Sequence, residues 1–328
     1  SGSLSSASAY FWPMGTPADT LKHSISTSRI VELDGLRGVA VLLVLIHHLV
    51  VHSKITPDFF VDLYTFKLAA SAWIGVDLFF VLSGFLITGI LYDSKNTDGY
   101  FRNFYSRRAL RIFPLYFGFL AFSLVAAPSL LPEGAHLWYW TYLSNIYIVV
   151  QNGWPDTPHL SHFWSLAIEE QFYLLWPLAV LALGRRQLIW LSIACMTVAL
   201  VLRFTLPMGM SPLDGYMLLP TRMDALAAGA VVALLIRSDE GRNFVRTWAA
   251  PGLYTSGILI ITLFLYKRGL SVLDPLVQTF GYTFLAVAAA SLIGILVTAN
   301  DKRWLRRVLS MHWLTQLGKY SYGIYVLH

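Results

Sequence analysis

Apolar residues run along this chain in long unbroken blocks, without the i, i+3, i+4 stripe of an amphipathic helix or the alternation of a half-buried strand. Blocks lie at about 36–55, 71–92, 113–128, 163–184, 187–206, 218–236, 251–267 and 276–298, and another starts near 313. Each comes close to the ~20 residues a helix needs to cross ~30 Å of hydrocarbon. The pattern predicts an all-α polytopic membrane protein with about nine transmembrane helices. The segment 138–151 (WYWTYLSNIYIVVQ) is apolar but, at 14 residues, too short for a crossing. Its tryptophans and tyrosines suit the headgroup level, so it is read as a short re-entrant or interfacial helix.

Composition agrees: of 328 residues, 56% are hydrophobic and 13% charged, against ~25% charged in an ordinary globular chain, and the mean hydropathy is +0.59. The net charge of +6 is not a nucleic-acid footprint, because the basic residues sit in short segments between apolar blocks. They fall into five clusters: Lys22, Arg29 and Arg37; Arg102, Arg107, Arg108 and Arg111; Arg185 and Arg186; Arg237, Arg242 and Arg246; and Lys302, Arg303, Arg306 and Arg307. All five fall on one side if the N-terminus is cytoplasmic, which predicts a multi-pass protein of the inner (cytoplasmic) membrane. Residues 1–30 are Ser/Thr-rich without a signal-peptide core and read as a flexible cytoplasmic segment, leaving 31–328 as the membrane domain. The start at Ser-Gly-Ser reads as a processed end, and the stop at His328, inside an apolar block, predicts that the chain continues. Cys195 is the single cysteine and lies mid-block, so it reads as a buried structural thiol.

Charged groups within spans cost ~2.5–3.5 kcal/mol on insertion scales and mark sites. Arg37 and His48 are eleven positions apart, within about 20° of three full turns. They therefore share one face of the first span, ~16 Å apart along its axis. Glu169 lies about one turn into the fourth span, with only it and not its neighbour Glu170 expected to look inward. Such a carboxylate orients or polarises an imidazole. Arg108 and Arg111, at i and i+3, present two guanidinium groups to one side, which suits either phosphate recognition or anionic lipid headgroups. Asp77, Arg222 and Asp224 read as internal ion-pair partners. His48 and His52 have helical metal-ligand spacing, but no glutamate joins them and no cysteine pair exists, so no metal is expected. No Walker-type loop, Gly-x-Gly-x-x-Gly or Gly-x-Ser-x-Gly occurs.

At these residues the chain resembles the acyltransferase-3 family of integral membrane acyltransferases, many of which O-acylate bacterial polysaccharide, lipopolysaccharide or peptidoglycan. The likeness runs from about Glu32 to His328. It rests on ordered blocks: Leu33-Asp34-Gly35-Leu36-Arg37-Gly38 with His48; FFVLSGF at 79–85; Arg108-x-x-Arg111 with Pro114 and Tyr116; Phe163-Trp164-Ser165-Leu166 with Glu169 and Phe172-Tyr173; and Gly318-Lys319-Tyr320-Ser321-Tyr322-Gly323 with Tyr325 and His328. The resemblance implies that Arg37 and His48 are the family's required first-span pair. It also implies that Arg108 and Arg111 engage the phosphates of acyl-coenzyme A, and that Glu169 is the glutamate of the SLxxExxFY block. It implies a core of about ten helices, continuing past His328, and in some members an attached extracytoplasmic partner domain.

The expected chemistry is transfer of an acyl group, acetyl by family habit, from cytoplasmic acetyl-CoA to a hydroxyl of a glycan or lipid-linked saccharide. Arg108 and Arg111, assisted by Arg37, hold the donor. His48 is either the general base or a transient acyl carrier, and Glu169 stabilises its imidazolium. The rival readings are a transporter or flippase for a lipid-linked sugar or small anion, whose intramembrane Arg, His and Glu would form a pathway, and a non-catalytic scaffold.

Overall fold

The computed structural model describes residues 30–53, 60–126, 134–154, 158–205, 211–298 and 303–328. Apart from Ile30, the segment expected over 1–30 lies outside the described residues, as does Lys302. The described residues form helices and turns, with no strand among them. In chain order the helices are α1 (Val31–His52), α2 (Phe60–Ala70), a 3₁₀ turn (Ser71–Trp73), α3 (Ile74–Asp93), α4 (Tyr100–Ala126), α5 (His136–Trp140), α6 (Ser144–Val150), α7 (Pro158–Ser161) and α8 (Phe163–Ala182). They continue as α9 (Arg185–Thr205), α10 (Pro212–Met217), α11 (Leu219–Leu235), α12 (Asp239–Lys267), a π-helical turn (Val277–Gly281), α13 (Tyr282–Thr298), α14 (Arg303–Leu309) and α15 (His312–Leu327).

Among the described residues, every apolar block expected to cross is mainly helical. Among the described residues, 7 helical stretches are long and apolar enough to do so: Val31–His52, Leu63–Asp93, Tyr100–Ala126, Arg185–Thr205, Pro212–Leu235, Asp239–Lys267 and Val277–Thr298. The other two expected spans are α8, which carries Glu169, Glu170 and Gln171, and α15, which has 16 residues. Glu169 and Glu170 of α8 and Tyr322 and Tyr325 of α15 line a cavity. Two helices start well before their apolar blocks. α4 begins at Tyr100, so Arg102 to Arg111 ride on its first turns and not on a loop. α12 begins at Asp239 behind a Ser238 cap, whose Oγ accepts from the Gly241 N–H at 3.2 Å. The segment 138–151 is not one helix. It breaks between α5 and α6, where Tyr142 takes φ 55°, and neither piece is long enough to cross.

Helix α11 packs against α3 and α9, α15 against α1, and α12 against α13. The α3–α11 and α1–α15 contacts are close because glycine faces backbone. A Cβ at Gly84 of α3 would strike the Leu226 carbonyl, and one at Gly229 of α11 the Val81 carbonyl. Gly38 and Gly318 serve the α1–α15 crossing likewise, against the carbonyls of Leu314 and Asp34. Small residues at crossings are how helices associate in lipid, where burying apolar area gives no driving force. By contrast α12 exposes Tyr254, Ile258, Ile261 and Leu265, a lipid-facing flank.

Two fully buried ion pairs tie the central helices. Arg222 of α11 donates to Asp77 of α3 at 2.8 Å, and Arg203 of α9 to Asp224 of α11 at 2.6 Å. The pairing expected of Asp77, Arg222 and Asp224 is thus present, with Arg203 as a partner the sequence did not single out. The Arg222 guanidinium also lies 4.0 Å from the Tyr282 ring centroid. Cys195 is a free thiol, half-buried on α9 and not fully buried as expected.

Candidate active site

Helices α1, α3, α4, α8 and α15 surround a cleft with about 720 Å³ of empty space, whose polar lining includes Arg37, Ser83, Arg108, Arg111, Glu169 and Glu170. Arg37 faces it from the second turn of α1, with its guanidinium 3.6 Å from Asp34 one turn back. Arg108 and Arg111 reach it from successive turns of α4, and the Arg108 guanidinium lies 4.3 Å from the Tyr173 ring centroid. On α8, Glu169 Oε1 accepts from Ser83 Oγ at 2.5 Å, and Ser83 in turn accepts from the Tyr173 hydroxyl at 3.0 Å. A serine proton committed to the carboxylate leaves the serine oxygen to accept from tyrosine, so all three groups are ordered in one chain. Glu170, expected in solvent, is half-buried and lines the cleft too. Adjacent helical positions differ by ~100°, so the cleft wraps at least that much of α8.

His48 is elsewhere. At the opposite end of α1 it lines a second, small pocket together with His47, His162 and aromatic side chains. Its ring geometry assigns the protons. The Nδ1 of His328 lies 2.7 Å from the Tyr325 carbonyl, which can only accept, so Nδ1 carries the hydrogen and Nε2 the lone pair. The Nδ1 of His48 lies 3.0 Å from the Val44 carbonyl and 3.1 Å from that Nε2, so it donates to both. His48 Nε2 is left as the basic nitrogen. His328 thus orients His48 as a carboxylate does in other acid–base pairs, but without a charge. The third ring, His162, sits 4.4 Å from His328 and 6.1 Å from His48 between centroids, and its Nε2 is buried with no hydrogen-bond partner.

Cleft and pocket abut. Val76 and Tyr325 line both. The Tyr325 hydroxyl donates to the His162 carbonyl at 3.1 Å and lies 2.5 Å from Ser165 Oγ, which pins the ring between the two spaces.

The shared face expected for Arg37 and His48 is therefore realised as two adjoining cavities, one at each end. The expected contact of Glu169 with His48 is not. His162 is the N-cap of α8 and lies at the level of His48, whereas Glu169, seven residues on, is ~10 Å deeper along the axis and meets Ser83. The α8 residue at that level is His162, whose only sequence signal is its place immediately before the Phe163-Trp164-Ser165-Leu166 block. Ser83 gave a weaker signal still, as one hydroxyl inside FFVLSGF. Among the described residues, no group of three His, Cys, Asp or Glu is arranged to hold a metal ion.

Comparison with known proteins bears on this arrangement. The chain is 27% identical to the peptidoglycan O-acetyltransferase OatA of Listeria monocytogenes over 94% of its own length and 50% of that protein's. It is 30% identical to YrhL of Bacillus subtilis, a putative peptidoglycan O-acetyltransferase, over 91% and 48%. It is 28% identical to the O-acetyltransferase OatA of Staphylococcus aureus over 94% and 51%. The chain thus spans about half the length of these curated relatives. No solved structure matches it. The family model described as an acyltransferase domain matches residues 30–328, every helix that builds the two cavities included, and the chain belongs to this acyltransferase-3 family.

Proposed function

We propose that the protein is a membrane-bound O-acyltransferase that carries an acetyl group from acetyl-CoA on the cytoplasmic side to a hydroxyl of a cell-wall glycan on the other. The observation that carries this reading is the division of one helix face between an arginine-lined cleft and an imidazole pocket that meet at Tyr325 and Val76. The five basic clusters favour a cytoplasmic N-terminus in the inner membrane, which puts the arginine cleft on the side where coenzyme A is found. The relatives' names favour a peptidoglycan acceptor, and their greater length leaves room for a partner domain on the far side.

In this reading Arg108 and Arg111 hold the coenzyme A phosphates, Arg37 assists, and the thioester points past Tyr325. His48 Nε2 takes the proton of the acceptor hydroxyl as its oxygen attacks the thioester carbonyl. The new C–O bond forms, the C–S bond breaks, and the coenzyme A thiolate leaves and is protonated. In the variant with an acyl-histidine, the same nitrogen first displaces the thiolate and then yields the acetyl to the acceptor. His328 accepts from His48 Nδ1–H throughout and steadies the imidazolium. Glu169 shapes the donor cleft through Ser83 and Tyr173 and does not act on the imidazole.

The test is thermal stabilisation of the detergent-purified protein by acetyl-CoA. Ligand at about a hundred times its Kd adds ~2.7 kcal/mol. The shift is expected in the native protein and lost in Arg108→Ala/Arg111→Ala. A shift of equal size in both would remove these arginines from the donor site, and none in either would remove acetyl-CoA.

A further inference from the structure

Beside the cleft, α4 and α15 leave an open-sided groove with about 640 Å³ of room. Arg111 and Tyr322 line both spaces. Tyr322 is the wall between them, because its hydroxyl donates to the Ile112 carbonyl at 2.8 Å and holds the ring against α4. Past that wall the two ends of the groove differ. Arg111 and Lys319 line one, and Ile324 and Leu327 continue along α15 toward the other.

Helix geometry puts the two cations level. Leu115 of α4 faces Gly323 of α15, where a Cβ would come within 3.7 Å of its side chain. Arg111 and Lys319 each lie four residues before that meeting point, about one turn. Both are exposed, and among the described residues no carboxylate lines the groove. Lys319 Nζ lies 5.3 Å from the Tyr320 ring centroid. Gly323 is not there for close approach, as Gly318 is, since 3.7 Å is ordinary contact. Its missing side chain keeps the groove open.

The surroundings say what can enter. Leu110 of α4 is 78% exposed and Leu327 61%, so this flank faces hydrocarbon. Cations at such a flank are costly unless an anion meets them. Side chains on a helix lean toward its N-terminus, which for α4 and α15 is the end that the basic clusters put toward the cytoplasm. A water-soluble anion would satisfy the cations and gain nothing from the apolar stretch. An uncharged lipid would do the reverse. A phosphate joined to an acyl chain uses both ends.

We infer that the groove between α4 and α15 is a binding site for an anionic glycerophospholipid, with its phosphate between Arg111 and Lys319 and an acyl chain along Ile324 and Leu327. The inference goes beyond the acyltransferase reading and does not depend on it. Arg111 also faces the donor cleft, whereas Lys319 belongs to the groove alone and is the residue that tests the site.

The experiment is titration of the delipidated protein, in a neutral detergent, with phosphatidylglycerol, the bound lipid being counted by native mass spectrometry. The native protein is expected to retain one phosphatidylglycerol in preference to phosphatidylcholine. Lys319→Ala should weaken that first binding about fivefold, the worth of one lysine beside an anionic lipid, and Lys319→Arg should restore most of it. Lys319 is exposed, so its loss leaves the core packing in place. Arg185→Ala/Arg186→Ala, which removes a basic pair on another helix, should leave the first binding unchanged. Equal retention of the two lipids would overturn the assignment. So would a first binding untouched by Lys319→Ala, or one equalled by glycerol phosphate, which carries the anion without the chain. Lipid binding that depends on Lys319 in a protein that acetyl-CoA does not stabilise would uphold the groove and sink the proposed donor.

Discussion

The two cavities along α1 are neighbours with opposite chemistry. The cleft at the Arg37 end gathers three guanidinium groups and two carboxylates, while the pocket at the His48 end has no charged lining, only imidazoles and aromatic rings. A charged space suits an anion that must be held. A neutral, enclosed one suits a proton that must be moved, because an imidazole there meets no neighbouring charge that fixes its state. One face of one helix serves both because eleven residues bring the face round again ~16 Å further along. Separation is thus a property of the helix itself, and Tyr325 with Val76 supplies the partition.

The comparison breaks most visibly at His48. His48→Ala is expected to lower acetyl transfer by ~10²–10⁴ while leaving the thermal shift by acetyl-CoA intact. Loss of that shift as well would mean that the two cavities act as one site. The next largest effect is on stability. Asp77→Ala leaves Arg222 buried without its carboxylate, at a cost of ~3–5 kcal/mol, read as a lowered thermal midpoint. Asp77→Ala/Arg222→Leu should recover much of the stability, since it removes the stranded charge. Smallest is Ser83→Ala, which frees Glu169 and Tyr173 from their shared hydroxyl for ~1 kcal/mol. It should raise KM for acetyl-CoA a few-fold and leave glycan binding alone.

How much of this is legible in the sequence follows the same division. The crossing helices are legible because hydrocarbon demands long apolar runs. Their starts are less so: α4 and α12 extend into water through ordinary polar turns, which carry no hydropathy signal. The break at Tyr142 has no sequence mark, since a tyrosine with positive φ is held by its surroundings and not by propensity. At the site, Arg37, His48, Arg108, Arg111 and Glu169 stand out as polar groups among apolar ones, and all five line the two cavities. Which of them meet is another matter. The partnership of His48 with His328 spans 280 residues, and the depth of Glu169 depends on where α8 enters the bundle. Periodicity within one helix cannot supply either.

The glycine crossing of α1 with α15 bears on how the protein is made. Gly38 and Gly318 lock together two helices from distant parts of the sequence, and the hydrogen bond that orients His48 is completed across that seam. A chain still on the ribosome inserts α1 long before α15 exists. Through that interval His48 lacks the His328 contact and its pocket lacks the Tyr325 wall. The contact that orients His48 therefore forms only after α15 has been made and has packed on α1, however early α1 itself enters the membrane.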